Sequence, residues 1–92
     1  MRLFMEVLIP VEKGNASVVD KSMSAALNRF IDAAKPEAAF FHLREGKRAA
    51  IFVFEEMKQD KLVEYNEAFF STLNAEIWIT PTLNLAELQK HL

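Results

Sequence analysis

Ala38-Ala39-Phe40-Phe41-His42-Leu43-Arg44-Glu45-Gly46-Lys47-Arg48-Ala49-Ala50-Ile51-Phe52-Val53-Phe54 holds two apolar runs around a polar, glycine-containing turn. Aromatic and β-branched residues bounded by a turn signal read as a β-hairpin, here over Glu37 to Glu55. Gly46 supplies the positive φ that a tight turn requires. The register has two solutions. A two-residue turn puts Phe41 on the same face as Ala50 and Phe52, and a three-residue loop puts it with Ile51 and Val53. One residue of slip exchanges the two faces.

Upstream, Leu3 to Ile9 is apolar and partly β-branched, and Pro10 closes it. Leu3, Met5, Val7 and Ile9 face one way and Phe4, Glu6 and Leu8 the other, which suits a strand inside a sheet. Val11 to Ala16, with Gly14-Asn15, is predicted as a loop. Asn15 or Ser17 can cap the following helix, and Ser17 with Asp20 approximates a capping box. Val19, Met23, Ala26, Leu27, Phe30, Ile31 and Ala34 recur at spacings of three and four, the stripe of an amphipathic helix. Pro36 stops it, because the residue before a proline is disfavoured in the α region.

Downstream, Glu56 to Lys61 is a polar connector with Asp60 as candidate N-cap. Leu62, Asn66, Phe69 and Leu73, reinforced by Val63 and Phe70, mark a second helix; Asn66 interrupts the stripe and could face a cavity. Ala75-Glu76-Ile77-Trp78-Ile79-Thr80 alternates as a strand ending at Pro81, and a short tail helix is predicted over Leu85 to His91.

Strand, helix, strand, strand, helix, strand is the ferredoxin-like split βαβ order in one α+β domain spanning residues 1–92. It implies a four-stranded antiparallel sheet with two helices on one face, plus the tail helix. Two helices can bury only one face. The opposite face should be polar if it meets water, yet its expected members are Phe4, Glu6, Leu8, Phe40, His42 and Trp78. Leaving such apolar side chains wet forfeits about 1.5–3 kcal/mol each. A second copy stacked on that face would bury them, so a homodimer through the sheet face is expected.

Composition narrows the function classes. Half of the 92 residues are apolar, with eight phenylalanines and no cysteine. The absence of cysteine excludes a disulfide framework, a thiolate metal site and a cysteine nucleophile, and agrees with a reducing cytoplasm. A net charge of −2 and no broad basic face argue against nucleic acid. No apolar run approaches the ~20 residues of a membrane span. The opening Met1 to Pro10 is interrupted by Glu6 and lacks a small-residue cleavage site, so it reads as a strand and not a leader.

The Lys35-Pro36-Glu37-Ala38-Ala39-Phe40-Phe41 lead-in to the hairpin, and the Ile77-Trp78-Ile79-Thr80-Pro81 strand exit with its short helix, resemble the dimeric α/β-barrel superfamily. The ending is similar in layout to muconolactone isomerases. The resemblance implies two sheets packed into a barrel in a homodimer, with any pocket inside the barrel or between helices and sheet. That superfamily includes isomerases, cofactor-independent monooxygenases, haem-degrading enzymes and proteins of no known activity, so it implies a fold more than a reaction.

A few side chains could carry chemistry. His42 on a strand facing an enclosed volume can act as a general acid or base, and Glu6 among apolar residues can exchange protons beside it only if the hairpin register, still open, puts both on one face. The bland alternatives are a hydrogen-bonded histidine at a dimer seam and a carboxylate paired with Arg44. Phe4, Phe40 and Trp78 could hold an aromatic or lactone-like molecule, or be interface core. Arg44 could hold a carboxylate, as a guanidinium does bidentately, or remain a solvated charge. Two distant histidines give no metal-ligand spacing, and two glycines give no phosphate cradle, so no metal or cofactor is expected.

Overall fold

The hairpin closes through a two-residue turn. In the computed structural model, which describes all of residues 1–92, strand β2 (Ala38–Arg44) pairs with β3 (Lys47–Glu55), leaving only Glu45 and Gly46 between them. Both turn residues have positive φ, 54° and 75°, the type I′ geometry that matches strand twist. Phe41 stands opposite Ala50, and Phe40 opposite Ile51. Of the two registers open in the sequence, this is the one that puts Phe41 with Ala50 and Phe52.

Strand β1 (Arg2–Ile9) lies between β3 and β4 (Glu76–Pro81), giving the order β2-β3-β1-β4 with every neighbour antiparallel. This α+β arrangement is consistent with a ferredoxin-like fold. Helices α2 (Ser22–Ala34) and α3 (Gln59–Leu73) pack on the side carrying Leu3, Met5, Val7, Phe52 and Phe54. Phe30 of α2 is the hub. Its ring centroid lies 4.7 Å from Phe52, 5.4 Å from Phe54, 5.3 Å from Tyr65 and 5.5 Å from Phe69. Tilted and edge-on contacts at these distances favour a ring's positive edge against a neighbour's negative face.

Several expectations need correction. The segment predicted as a loop is helix α1 (Val11–Val19), which starts directly after Pro10. Gly14 is buried, and a Cβ there would meet Arg48 Nη1 at 2.7 Å and Ile9 Cγ2 at 3.5 Å. The residue read as a turn signal thus admits Arg48, which donates to Asn15 Oδ1 at 3.0 Å. Ser17 sits within α1 and donates to the Gly14 carbonyl, so neither Asn15 nor Ser17 caps a helix. The break falls at Asp20-Lys21, with Lys21 at φ 67°. Asp20 there accepts hydrogen bonds from the Ser22 hydroxyl and amide, and those bonds hold its carboxyl below the usual range. Val19, assigned to the apolar stripe, is exposed; Ala26 and Phe30 are buried, with Met23, Leu27, Ile31 and Ala34 packed alongside.

Asp60 does not cap α3. Its N-cap position is Lys58, and Glu56 accepts from the amides of Met57 and Lys58 and from the Tyr65 hydroxyl at 2.8 Å. The tail helix α4 is shorter than expected, Leu85–Gln89, and is closed by a capping box between Asn84 and Glu87. No helix is long and apolar enough to cross a membrane.

The helices also cover less of the sheet than one full face. Edge strand β2 is exposed on both sides, with Phe41 57% and Leu43 76% accessible on the helix side. The total accessible surface is 6146 Å², against about 5,400 Å² for a typical monomer of this mass. The radius of gyration is 14.0 Å, where a compact chain of this length has about 12 Å.

Two groups on α3 give measurable consequences. Burial, then the bond to Glu56, pushes the Tyr65 hydroxyl up to about 12. The Tyr65 hydrogen bond and the two backbone amides outweigh desolvation and hold Glu56 below its ordinary value near 4.5. A raised tyrosine contributes stability that is complete below about pH 10 and is lost as pH rises through about 12. A lowered carboxyl contributes stability present above about 4.5 and lost as pH falls through its folded value. Tyr65→Phe should cost about 1 kcal/mol near neutral pH and flatten the alkaline limb of a urea-denaturation series; an unchanged limb would refute the linkage. Asn66 Oδ1 is buried without a hydrogen-bond partner. Asn66→Leu should therefore gain about 1 kcal/mol, read by the same titration, because it removes an unmet acceptor.

Candidate functional site

Register fixes which side chains share the sheet face that the helices leave bare. Cross-strand partners place Phe40, Ile51, Glu6 and Trp78 in one row from edge to edge. Ala38, Val53, Phe4 and Thr80 form the row on one side, and His42, Ala49, Leu8 and Glu76 the row on the other. All six residues singled out from the sequence, Phe4, Glu6, Phe40, His42, Arg44 and Trp78, belong to this face.

Arg44 organises it. From the end of edge strand β2 its guanidinium reaches Glu6, with Nη1 3.0 Å from Oε2, and lies over the Trp78 ring at 5.0 Å from the centroid. By register, Ala49 and Leu8 stand in the row between those of Arg44 and Glu6. Those two are only 7% and 3% exposed although no helix lies on their side. An alanine at position 49 leaves room for the side chain to lie flat, and long cationic stems commonly cover apolar surface in this way. Elsewhere the face is bare, with Phe40 63% exposed, and Trp78 stays 44% exposed even with the guanidinium over its ring.

Glu6 and His42 share the face but are not neighbours. One strand and one row separate them, roughly 10 Å across the sheet. The carboxylate of Glu6 bonds Arg44, and His42 is exposed. Proton exchange between the two would need a bridging molecule.

A second polar cluster was not visible in the sequence. Arg2, on the same side by strand parity, bonds Glu37 Oε1 through Nε at 2.6 Å, lies 3.9 Å from Glu55 and pairs with Glu87. The bond that Arg2 donates to Glu37 raises its guanidinium above its usual value. The Met1 amine adds a contact to Glu55 at 3.1 Å. This cluster ties both chain ends to one end of the sheet. The Asn84-x-x-Glu87 spacing marks the start of α4, but nothing in the sequence links Glu87 to Arg2. Leu83, Leu85, Leu88 and Leu92 of the tail all stay exposed.

The main concavity lies elsewhere. A groove of about 570 Å³ runs beside α2 on the helix side, lined by Val18, Met23, Leu27, Ile31 and Phe41 with polar residues at its rim. None of the six residues from the sequence reading lines it. No three histidine, aspartate or glutamate side chains are grouped so that they could hold a metal ion.

The Glu6–Arg44 pair is half exposed, so its coupling should be modest, about 0.2–1 kcal/mol. A double-mutant cycle with Glu6→Gln and Arg44→Gln, read by chemical denaturation, measures it. Arg44→Gln alone should also change Trp78 emission, since the cation leaves the ring; unchanged emission would rule out the stacked geometry in solution.

No protein-family model matches the chain, and no curated protein does. Among solved structures it is similar to a de novo designed protein, Ferredog-Diesel, at 12% identity over 88% of this chain and 85% of that one, with a TM-score of 0.49.

Proposed function

We propose that the protein is a homodimeric ferredoxin-like module whose bare sheet face packs against that of a second copy, as in the dimeric α/β-barrel superfamily that its hairpin lead-in and last strand resemble. The carrying observation is an aromatic face without a helical cover, centred on Phe40, Phe4 and Trp78. Surface arithmetic supports it. The excess over a typical monomer is roughly 700 Å², close to the ~800 Å² each partner contributes to a standard interface. Glu6 and Glu76 on the face repel phosphate, which weighs against nucleic acid. With no cysteine to oxidise, the chain suits the cytoplasm.

A second reading rests on Arg44. It gives Glu6 one nitrogen and stacks on Trp78, so its remaining N–H donors are free for a planar ligand. In a closed dimer, a small aromatic or lactone-like molecule could lie against Trp78, Phe40 and Phe4 and bond Arg44, without a metal. Glu6 and His42 would then be the groups that move protons. Assembly is the stronger reading, because Glu6 already has a cationic partner and the main groove lies on the other side of the sheet.

Trp78 is the only tryptophan, so its emission reports on this face alone. Acrylamide quenching should fall as concentration rises through the association range. Equal quenching across a range in which the sedimentation mass increases would exclude the sheet face as the contact.

A further inference from the structure

The bare face is not the only unpartnered surface. Strand β2 is an outer strand of the sheet, and it lacks the usual protection of an edge. The opposite edge, β4, is six residues long, carries Glu76 and ends at Pro81. By contrast β2 runs Ala38-Ala39-Phe40-Phe41-His42-Leu43-Arg44, with no proline and a permanent charge only at its end. Its side chains are exposed on both faces, and the groove beside α2 opens next to Phe41.

Backbone geometry says which groups await a partner. The two-residue turn bonds Arg44 to Lys47, and antiparallel pairs then alternate between bonded and non-bonded. His42 and Phe40 therefore direct their amides and carbonyls to β3, while those of Ala39, Phe41 and Leu43 point to the open edge.

We propose that β2 pairs antiparallel with β2 of a second copy across a twofold axis at Phe41, joining two sheets edge to edge. The seven-residue strand is centred on Phe41, so this register uses all of it. Ala39 then faces the partner's Leu43, Phe40 faces the partner's His42, and Ala38 faces the partner's Arg44. No like charges meet, which a twofold pairing of a charged strand would ordinarily risk. On the helix side, the groove lined by Met23, Leu27 and Ile31 gives the partner's Phe41 a place to pack. This contact uses the hydrogen-bonding edge, not the bare face, and stands or falls separately from the sheet-face dimer.

Amide hydrogen exchange tests it directly. In the associated wild type, Ala39, Phe41 and Leu43 should exchange at least about 100-fold slower than open amides, matching Phe40 and His42. Leu43→Lys, an exposed change that guards an edge, should return the three amides to fast exchange while circular dichroism stays native. Fast exchange at all three positions in associated wild type overturns the edge pairing, as does a monomeric mass at millimolar concentration. Shielding of Trp78 without protection of these amides overturns the edge pairing and leaves the sheet-face dimer. Protection without shielding supports the edge pairing and removes the other.

Discussion

The turn at Glu45 and Gly46 constrains more of this molecule than any single core contact. A two-residue type I′ turn needs positive φ at both positions, and Glu45 adopts 54° although it carries a Cβ. With that parity set, Phe41 joins the side of Phe52 and Phe54, which pack around Phe30, and Phe40 and Arg44 join the side of Ile51 and Val53. One residue more in the turn would send Phe41 and Arg44 to the opposite sides of the sheet. Arg44 would then reach neither Glu6 nor Trp78. The architecture of the bare face is thus a consequence of turn length, transmitted through the alternation of side chains along β2.

The helical layer explains why that face, and the edge beside it, remain without a cover. Phe30 draws α2 over β3, where it meets Phe52 and Phe54, and against Phe69 of α3. A helix centred there cannot also reach the outer strand. Phe41 meets the core ring Phe52 edge-on at 5.8 Å yet stays 57% exposed, and Leu43 is 76% exposed. Only 17 of the 92 residues are buried although half the chain is apolar. Side chains that a small two-layer core cannot accommodate end up on the bare face, on β2 and in the leucine tail.

Much of this was legible in the sequence because it depends on period. The strands, both main helices and the shared face of Phe4, Glu6 and Trp78 follow from alternation and three-four spacing, whereas the place of His42 on that face turns on the hairpin register. Helix α1 was not legible, since Gly14-Asn15 is a turn signal locally; the glycine is small because Arg48 of β3 packs against it. Hairpin parity was undecided because both loop lengths suit Gly46. The pairing of Glu6 with Arg44 is one reading the sequence offers, but the stacking of the same guanidinium on Trp78 depends on three-dimensional placement. Arg2 with Glu37, Glu55 and Glu87 lay beyond reach, because it gathers residues from the start, middle and end of the chain.

The two edges of the sheet show how the same backbone can be made sociable or inert. On β4, the strand is short, carries a glutamate and ends at a proline, devices that discourage another strand. On β2 nothing comparable intervenes until Arg44, and Arg44 turns inward to Glu6 instead of guarding the edge. That inward turn serves the bare face, where the cation neutralises a carboxylate among apolar neighbours and lies over Trp78. One side chain therefore links the two surfaces: by satisfying the face, Arg44 leaves the edge without its charge.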